Sequence, residues 1–382
     1  SLPRRGQLFA DKVVIAYALY TSALTYLHYE TFTGGMRHLT TTTLDFVLLY
    51  FVASRGLLLK GAVRHVMVAL VMAAIFLALV GAFEFGKRWL LYSAADGALG
   101  ASTGTFGYLG RGDTLRALAS TGQPIVLGFV MMVALLISCY AQRLVPPGGA
   151  RILLWLTMAI GLIAAMSRGP WVGAAIGLFV VALASTTPLV NGIKLIAASL
   201  VAAVVLVMLP SGEKILNYLP WVGEIDSGNI TFREVLWQQS LLVVEKNPWI
   251  GSVNYTSAPE FDVIRQGNGF VDIVNSYLGV VLSSGLTGLA LYILLILVAL
   301  LPNIKNTIVG KEINEESAFY SMALLGVLVA SIITIWTVSS INQIAPLLTF
   351  VLGAGVANAW SRKQCATGPL PSRTSALDIS NE

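Results

Sequence analysis

The chain of 382 residues is 56 % hydrophobic and only 11 % charged, with 24 Lys and Arg against 19 Asp and Glu; soluble domains carry about 25 % charge, so an ordinary soluble enzyme is excluded. The net charge of +5 does not point to nucleic acid either, because the basic residues fall between apolar runs, where topology signals sit. The two cysteines, Cys139 and Cys365, have neither metal-site spacing nor that of a disulfide framework, so no metal or redox cofactor is expected.

Apolar runs suited to a hydrocarbon layer of about 30 Å recur along the sequence. We read ten spans, at residues 13–27, 39–59, 62–85, 121–141, 152–166, 171–186, 193–209, 273–301, 317–336 and 344–360. The expected fold is an all-α polytopic helical bundle. Transmembrane helices occupy 1–209, interrupted by a Gly-rich outer loop at 86–120 whose composition favours turns and hairpins. A large outer loop at 210–270 follows, then further transmembrane helices over 271–361 and a disordered tail at 362–382. Placing 210–270 outside and alternating through the spans leaves the inside net positive, the outside net negative and both termini inside. The chain opens on Ser1 with no signal-peptide pattern, so a preceding N-terminal segment is expected.

Chemistry is sought where charge interrupts this pattern. Asp45 lies in the second run, and Thr40–Thr43 offer it hydroxyl partners; Glu84 and Arg88 are four apart and read as a pair along a helix end. His28, His38 and His65 sit near span ends without ligand spacing. In Arg111-Gly112-Asp113-Thr114-Leu115-Arg116 two arginines at the outer surface can grip a diphosphate, or Arg111 and Asp113 form a local turn pair. Arg168 is the sharpest exception, in Met166-Ser167-Arg168-Gly169-Pro170-Trp171. An Arg at that depth costs several kcal/mol unless paired or hydrated, and the helix start at Pro170 adds backbone donors suited to a phosphate or carboxylate. The other reading is an Arg that snorkels to lipid head groups. Gly169, Gly173 and Gly177 share one helix face and read as close packing.

Residues 231–247 read as an amphipathic helix in the large loop, with Phe232, Val235, Leu236, Leu242 and Val243 near one face. Arg233 and Glu234 stand in its first turn, and Trp237 lies one turn later as a substrate contact or an interfacial anchor. Arg265 and Asp272 flank the next span, which begins with polar Asn275, Ser276 and Tyr277.

The order of these motifs resembles the O-antigen ligase and polymerase superfamily, membrane proteins that move glycans from a polyprenyl-diphosphate carrier. The matching pieces are Arg116-Ala117 through Gln123-Pro124 with Gly128, and Ser167-Arg168-Gly169-Pro170-Trp171-Val172-Gly173. They continue with Arg233-Glu234-Val235-Leu236-Trp237 to Asn247-Pro248-Trp249-Ile250-Gly251, then Asn275-Ser276-Tyr277-Leu278 and Gly285-Leu286-Thr287-Gly288. The resemblance implies around a dozen helices in a bacterial inner membrane and a periplasmic loop at 210–270. It also implies a lipid-linked glycan as partner, with polysaccharide assembly or export proteins as further ones. Ligases of this kind open the span after the loop with a His-Asn pair. This chain has Val274-Asn275, which turns the expectation towards a polymerase-like member.

Transfer of a sugar from a diphosphate lipid needs charge stabilisation on the leaving group, a base for the acceptor hydroxyl, and exclusion of water. Arg168, Arg233 and Arg116 are expected to contact the diphosphate, with Arg265 and Arg111 as further candidates and no metal ion. Glu234 and Asp272 are the base candidates, and Asn275 and Tyr277 are expected to orient the acceptor. The rival readings are a ligase, a transporter of an anionic or lipid-linked solute, and a scaffold of an export complex.

Overall fold

A computed structural model of the chain describes residues 3, 8–27, 31–94, 108–111, 114–208, 227–265, 271–309, 315–341 and 343–367. Its apolar runs are helical because hydrocarbon offers no partner for backbone N–H and C=O groups. The helices are α1 (Phe9–Tyr26), α2 (Phe32–Thr42), which continues through a π-helical stretch (Thr43–Leu48) into α3 (Leu49–Gly56), and α4 (Ala62–Lys87). A short antiparallel hairpin, β1 (Gly110–Arg111) and β2 (Thr114–Leu115), precedes α5 (Pro124–Ala141), α6 (Gly149–Ala164), α7 (Arg168–Ala184) and α8 (Pro188–Met208). Then follow α9 (Ser227–Lys246), α10 (Ser276–Val309), α11 (Glu315–Thr337) and α12 (Ile344–Thr367).

Among the described residues five helices are long and apolar enough to cross a membrane, at Ala62–Lys87, Pro124–Leu144, Ser276–Thr307, Glu315–Thr337 and Ile344–Gln364. Three shorter apolar helices, Gly149–Ala164, Arg168–Ala184 and Pro188–Ala198, lie between them. The protein is thus an all-α membrane protein.

α5 is apolar on every side and almost wholly buried, as a helix at the centre of a bundle must be. It is wrapped by α4, α6, α7 and α11. α7 packs closely on both α11 and α5: a Cβ at Gly173 would collide with Thr334, and one at Gly177 would come 2.6 Å from Leu136 of α5. The expected small-residue face therefore does bring helices together. At the opposite end of the bundle from α7's first turn, buried Asp11 accepts from Arg55 Nη1 at 2.8 Å and from Tyr50 at 2.9 Å, tying α1 to α3. In the interior, Asn358 donates to Asn303 at 2.8 Å, and Asn303 donates to the Gly355 carbonyl at 2.8 Å, joining α10 to α12.

Several elements differ from expectation. The amphipathic helix begins at Ser227, earlier than 231; Leu236 and Val243 are buried in a small second core with Phe261 and Leu282, whereas Leu242 is exposed. α12 runs to Thr367 through the start of the expected tail. Glu84 does not pair along the helix with Arg88: Arg88 adopts φ 55°, ψ 35° and ends α4, and the Glu84 carboxylate turns inward to backbone donors. Most of the Gly-rich stretch (95–107, 112–113), much of the large loop (209–226, 266–270) and the tail from 368 lie outside the described residues.

Candidate functional site

The site is built where α7 begins, α11 ends and α10 begins. α6 stops at Ala164, and the buried turn Ala165-Met166-Ser167 reverses the chain, with Met166 held at φ 47°. Arg168 is the first residue of α7, and Pro170 fills its first turn, where no donor is lost. The turn is pinned on two sides. Trp171 Nε1 donates to the Leu162 carbonyl at 2.8 Å. A Cβ at Gly128 of α5 would come 3.0 Å from Pro170 and 3.2 Å from Ser167. A Cβ at Gly169 would come 2.9 Å from Val338, so the Arg168 turn abuts the C-terminus of α11.

Arg233 reaches the same place from α9. Its Nη2 donates to the Thr337 carbonyl at 3.1 Å, one of the carbonyls that a helix C-terminus leaves without an intrahelical donor. Ser276 Oγ donates to the next carbonyl, Val338, at 2.8 Å, and Ser340 Oγ donates to Ser276 at 2.8 Å. Ser339 Oγ lies 3.0 Å from Asp272 Oδ1 and 2.7 Å from the Ile273 carbonyl. Asp272 is partly buried, and desolvation raises its carboxyl above the ordinary aspartate value; the Ser339 hydrogen bond and the positive charge of Arg233 oppose that rise. Asn275 Oδ1 accepts from the Tyr277 and Leu278 N–H groups at 2.9 and 3.2 Å, which makes it the N-cap of α10. Tyr277 leans on α11, its hydroxyl donating to the Ile332 carbonyl at 3.1 Å and its ring 5.8 Å from that of Trp336.

α9 is set by its base. After Lys246 the chain Asn247–Gly251 lies across a break in α10 at Gly285, where φ is 66° and ψ −172°. Leu286 N donates to the Pro248 carbonyl and Ser252 N to the Leu282 carbonyl, both at 2.8 Å. The Asn-Pro-Trp-Ile-Gly and Gly-Leu-Thr-Gly motifs of the sequence are therefore two halves of one clamp.

The structure brings Arg168, Arg233, Asp272, Asn275 and Tyr277 to one end of the bundle. Arg116 arrives beside them from another direction: its N–H donates to the Leu109 carbonyl at 3.0 Å, and the next residue, Ala117, donates to the Ala164 carbonyl at the head of the Arg168 turn. Other candidates stand apart. Arg265 folds onto its own loop, donating to Asp262 and to the Thr256 carbonyl, both at 3.0 Å. Glu234 and Trp237 are exposed on α9. Arg111 pairs with Thr114 in the hairpin, and its side chain lies outside the described residues. Sequence reasoning missed Thr337, Ser339 and Ser340; the signal was the polar run Thr337-Val338-Ser339-Ser340 between two apolar helices. Among the described residues no group of three His, Cys, Asp or Glu side chains is placed to hold a metal ion.

Comparison with known proteins gives a family match. Residues 152–293, from α6 into the first half of α10, match the model of the O-antigen ligase family. The matched stretch contains Arg168, Arg233, Asp272, Asn275 and Tyr277, and leaves out Arg116 and the Thr337–Ser340 segment. No curated protein matches the chain. Over residues 152–293 the chain is thus similar to the O-antigen ligase family of membrane glycan transferases.

Proposed function

We propose that the protein is a polymerase-like membrane glycosyltransferase that joins polyprenyl-diphosphate-linked oligosaccharide units at the periplasmic face of a bacterial inner membrane. In this reading ten helical rods, several of them short or tilted, cross the bilayer. The clustered end faces the periplasm and the C-terminus faces the cytoplasm. The observation that carries the proposal is the convergence of the Arg168 turn, Arg233 and Asp272 on the segment Thr337–Ser340.

The chemistry follows from those residues. The acceptor hydroxyl oxygen attacks the anomeric carbon of the donor sugar, the bond from that carbon to the diphosphate oxygen breaks, and its electron pair leaves with the diphosphate. Arg168 and Arg233 meet the charge that develops there, Arg116 holds the other phosphate, and no metal ion is needed. The hydroxyl proton passes to Asp272, whose raised proton affinity suits a base better than that of an exposed aspartate. Tyr277 and Trp336 border the acceptor side, and Asn275 fixes the start of α10 beneath them.

The test is reconstitution of the chain in liposomes with its host's polyprenyl-diphosphate repeat unit and no other acceptor. A ladder of products on a gel is the expected result. Arg168→Ala should lower turnover by about a hundredfold or more, the scale of losing one preorganised charge-stabilising group. Full turnover by Arg168→Ala would refute the scheme. Transfer only to an added acceptor would make the protein a ligase.

A further inference from the structure

We infer that Glu84 is a positioning residue for the phosphate-binding arginines, acting through the backbone strap that carries Arg116; the inference rests on the donor reading above. Glu84 lies in the last turn of α4 and is 0 % exposed. Its Oε2 accepts from the Leu118 and Ala119 N–H groups at 2.9 and 2.8 Å, and its Oε1 from the Leu91 N–H at 3.1 Å. One carboxylate thus gathers three backbone donors from two separate loops, an arrangement with charge-assisted bonds to every one.

The strap needs such an anchor. Ala119 sits at φ 47°, a conformation that side-chain-bearing residues seldom adopt and keep only when surroundings impose it. Thr121 Oγ1, donating to the Leu118 carbonyl at 2.7 Å, braces the same strap from its other end. Arg116 and Ala117 immediately precede the anchored amides. The Ala117 N–H passes the constraint to the Ala164 carbonyl at 3.0 Å, and from there the chain enters Met166, the second residue at φ 47°, and Arg168. A buried acid that touches no substrate therefore sets the spacing between Arg116, carried on the strap, and Arg168, carried on the first turn of α7.

The test uses the full chain in nanodiscs and geranylgeranyl diphosphate as probe, with geranylgeranyl monophosphate as control. Glu84→Gln keeps the side chain's shape but presents an amide NH2 to donors on one side. We expect it to bind the diphosphate about tenfold more weakly, with a smaller change for the monophosphate. The loss should vanish when Arg116 is already Ala and persist when Arg233 is Ala. Equal affinity of Glu84→Gln and wild type, or the same loss in both arginine backgrounds, would overturn the inference, the latter because it marks general loosening. A wild-type chain that ignores the diphosphate would overturn the donor reading and the inference with it. If Glu84 variants do not fold, Thr121→Val loosens the strap from its other brace, with the same expected dependence on Arg116; unchanged affinity there would overturn the inference equally.

Discussion

The clamp between Asn247–Gly251 and the break in α10 makes one substitution diagnostic. In Gly285→Ala the new methyl would fall inside van der Waals contact of the Trp249 carbonyl, and a Cβ at the partner position Gly251 would come as close, 2.5 Å from the Gly285 N. The backbone at φ 66°, ψ −172° lies in a region kept almost entirely by glycine, so strain of about 1–3 kcal/mol adds to about 1–3 kcal/mol of overpacking. The consequence extends beyond stability. From Lys246 to Arg233 the helix runs about 20 Å at 1.5 Å per residue, so a tilt of about 5° at its base moves Arg233 by about 2 Å. That displacement breaks its 3.1 Å bond to the Thr337 carbonyl, and a misplacement of that size costs about a hundredfold in rate. We expect Gly285→Ala to melt earlier in nanodiscs and to lose turnover on that scale. Gly279→Ala is the control, because the nearest atom to its added methyl is Ile273 Cγ2 at 3.9 Å and helical Gly→Ala is worth about 0.5–1 kcal/mol of gain. Wild-type melting and turnover in Gly285→Ala, or an equal loss in Gly279→Ala, would refute the clamp as the element that sets Arg233.

Three further outcomes are expected. On the proposed mechanism Asp272 works as its carboxylate, so the rate should fall as pH drops through a midpoint above the ordinary aspartate value; because Arg233 lowers that midpoint, Arg233→Gln should move it to higher pH, and a move to lower pH in the pH–rate profile would count against the pairing. Asp11→Asn takes the fully buried carboxylate from the part-exposed Arg55 guanidinium and should cost about 1.5–3 kcal/mol, visible in thermal melting and relieved by a second change, Arg55→Met. Asn275→Ala removes the cap of α10 and should cost about 1 kcal/mol, read as a small fall in melting temperature with the pH–rate midpoint unmoved.

Much of the membrane core was readable because an apolar run has few choices in hydrocarbon: α4, α5, α10, α11 and α12 lie where the hydropathy pattern puts them. The glycine face of α7 was readable for a related reason, since three small residues at one spacing have little use except close approach. Glu84 was misread because a spacing of four describes only neighbours on one helix; it could not show that loops at 91 and 118 would supply donors from the side. Leu242 was placed on the wrong face because α9 packs with a narrow stripe, Leu236 and Val243, on a small core of its own. Arg168 and Arg233 stood out because charge at a span boundary is costly. The partner of Arg233, the end of α11, was invisible because Thr337 acts through its backbone carbonyl, which any residue provides.

The placement of Arg233 explains how two arginines and a carboxylate can share the site before a substrate arrives. α7 begins and α11 ends side by side, so the positive end of one helix dipole faces the negative end of the other. Arg233 lies on the negative end, its guanidinium on the Thr337 carbonyl, while Ser276 takes the Val338 carbonyl. On the proposed mechanism the groups that meet an incoming diphosphate are Arg168, Arg116 and the amides of α7's first turn, beside Asp272, a group that desolvation pushes towards its neutral form. In that reading Arg233 can exchange a neutral carbonyl for a charged phosphate oxygen, the stronger acceptor. On the proposed mechanism this exchange also weakens the hold of Arg233 on Asp272, raising the proton affinity of the base once the donor is bound. The base and the leaving group are in this way coupled through one side chain, so Arg233 substitutions should alter donor affinity and the pH–rate midpoint together, whereas Arg168 substitutions should alter affinity with the midpoint nearly unchanged.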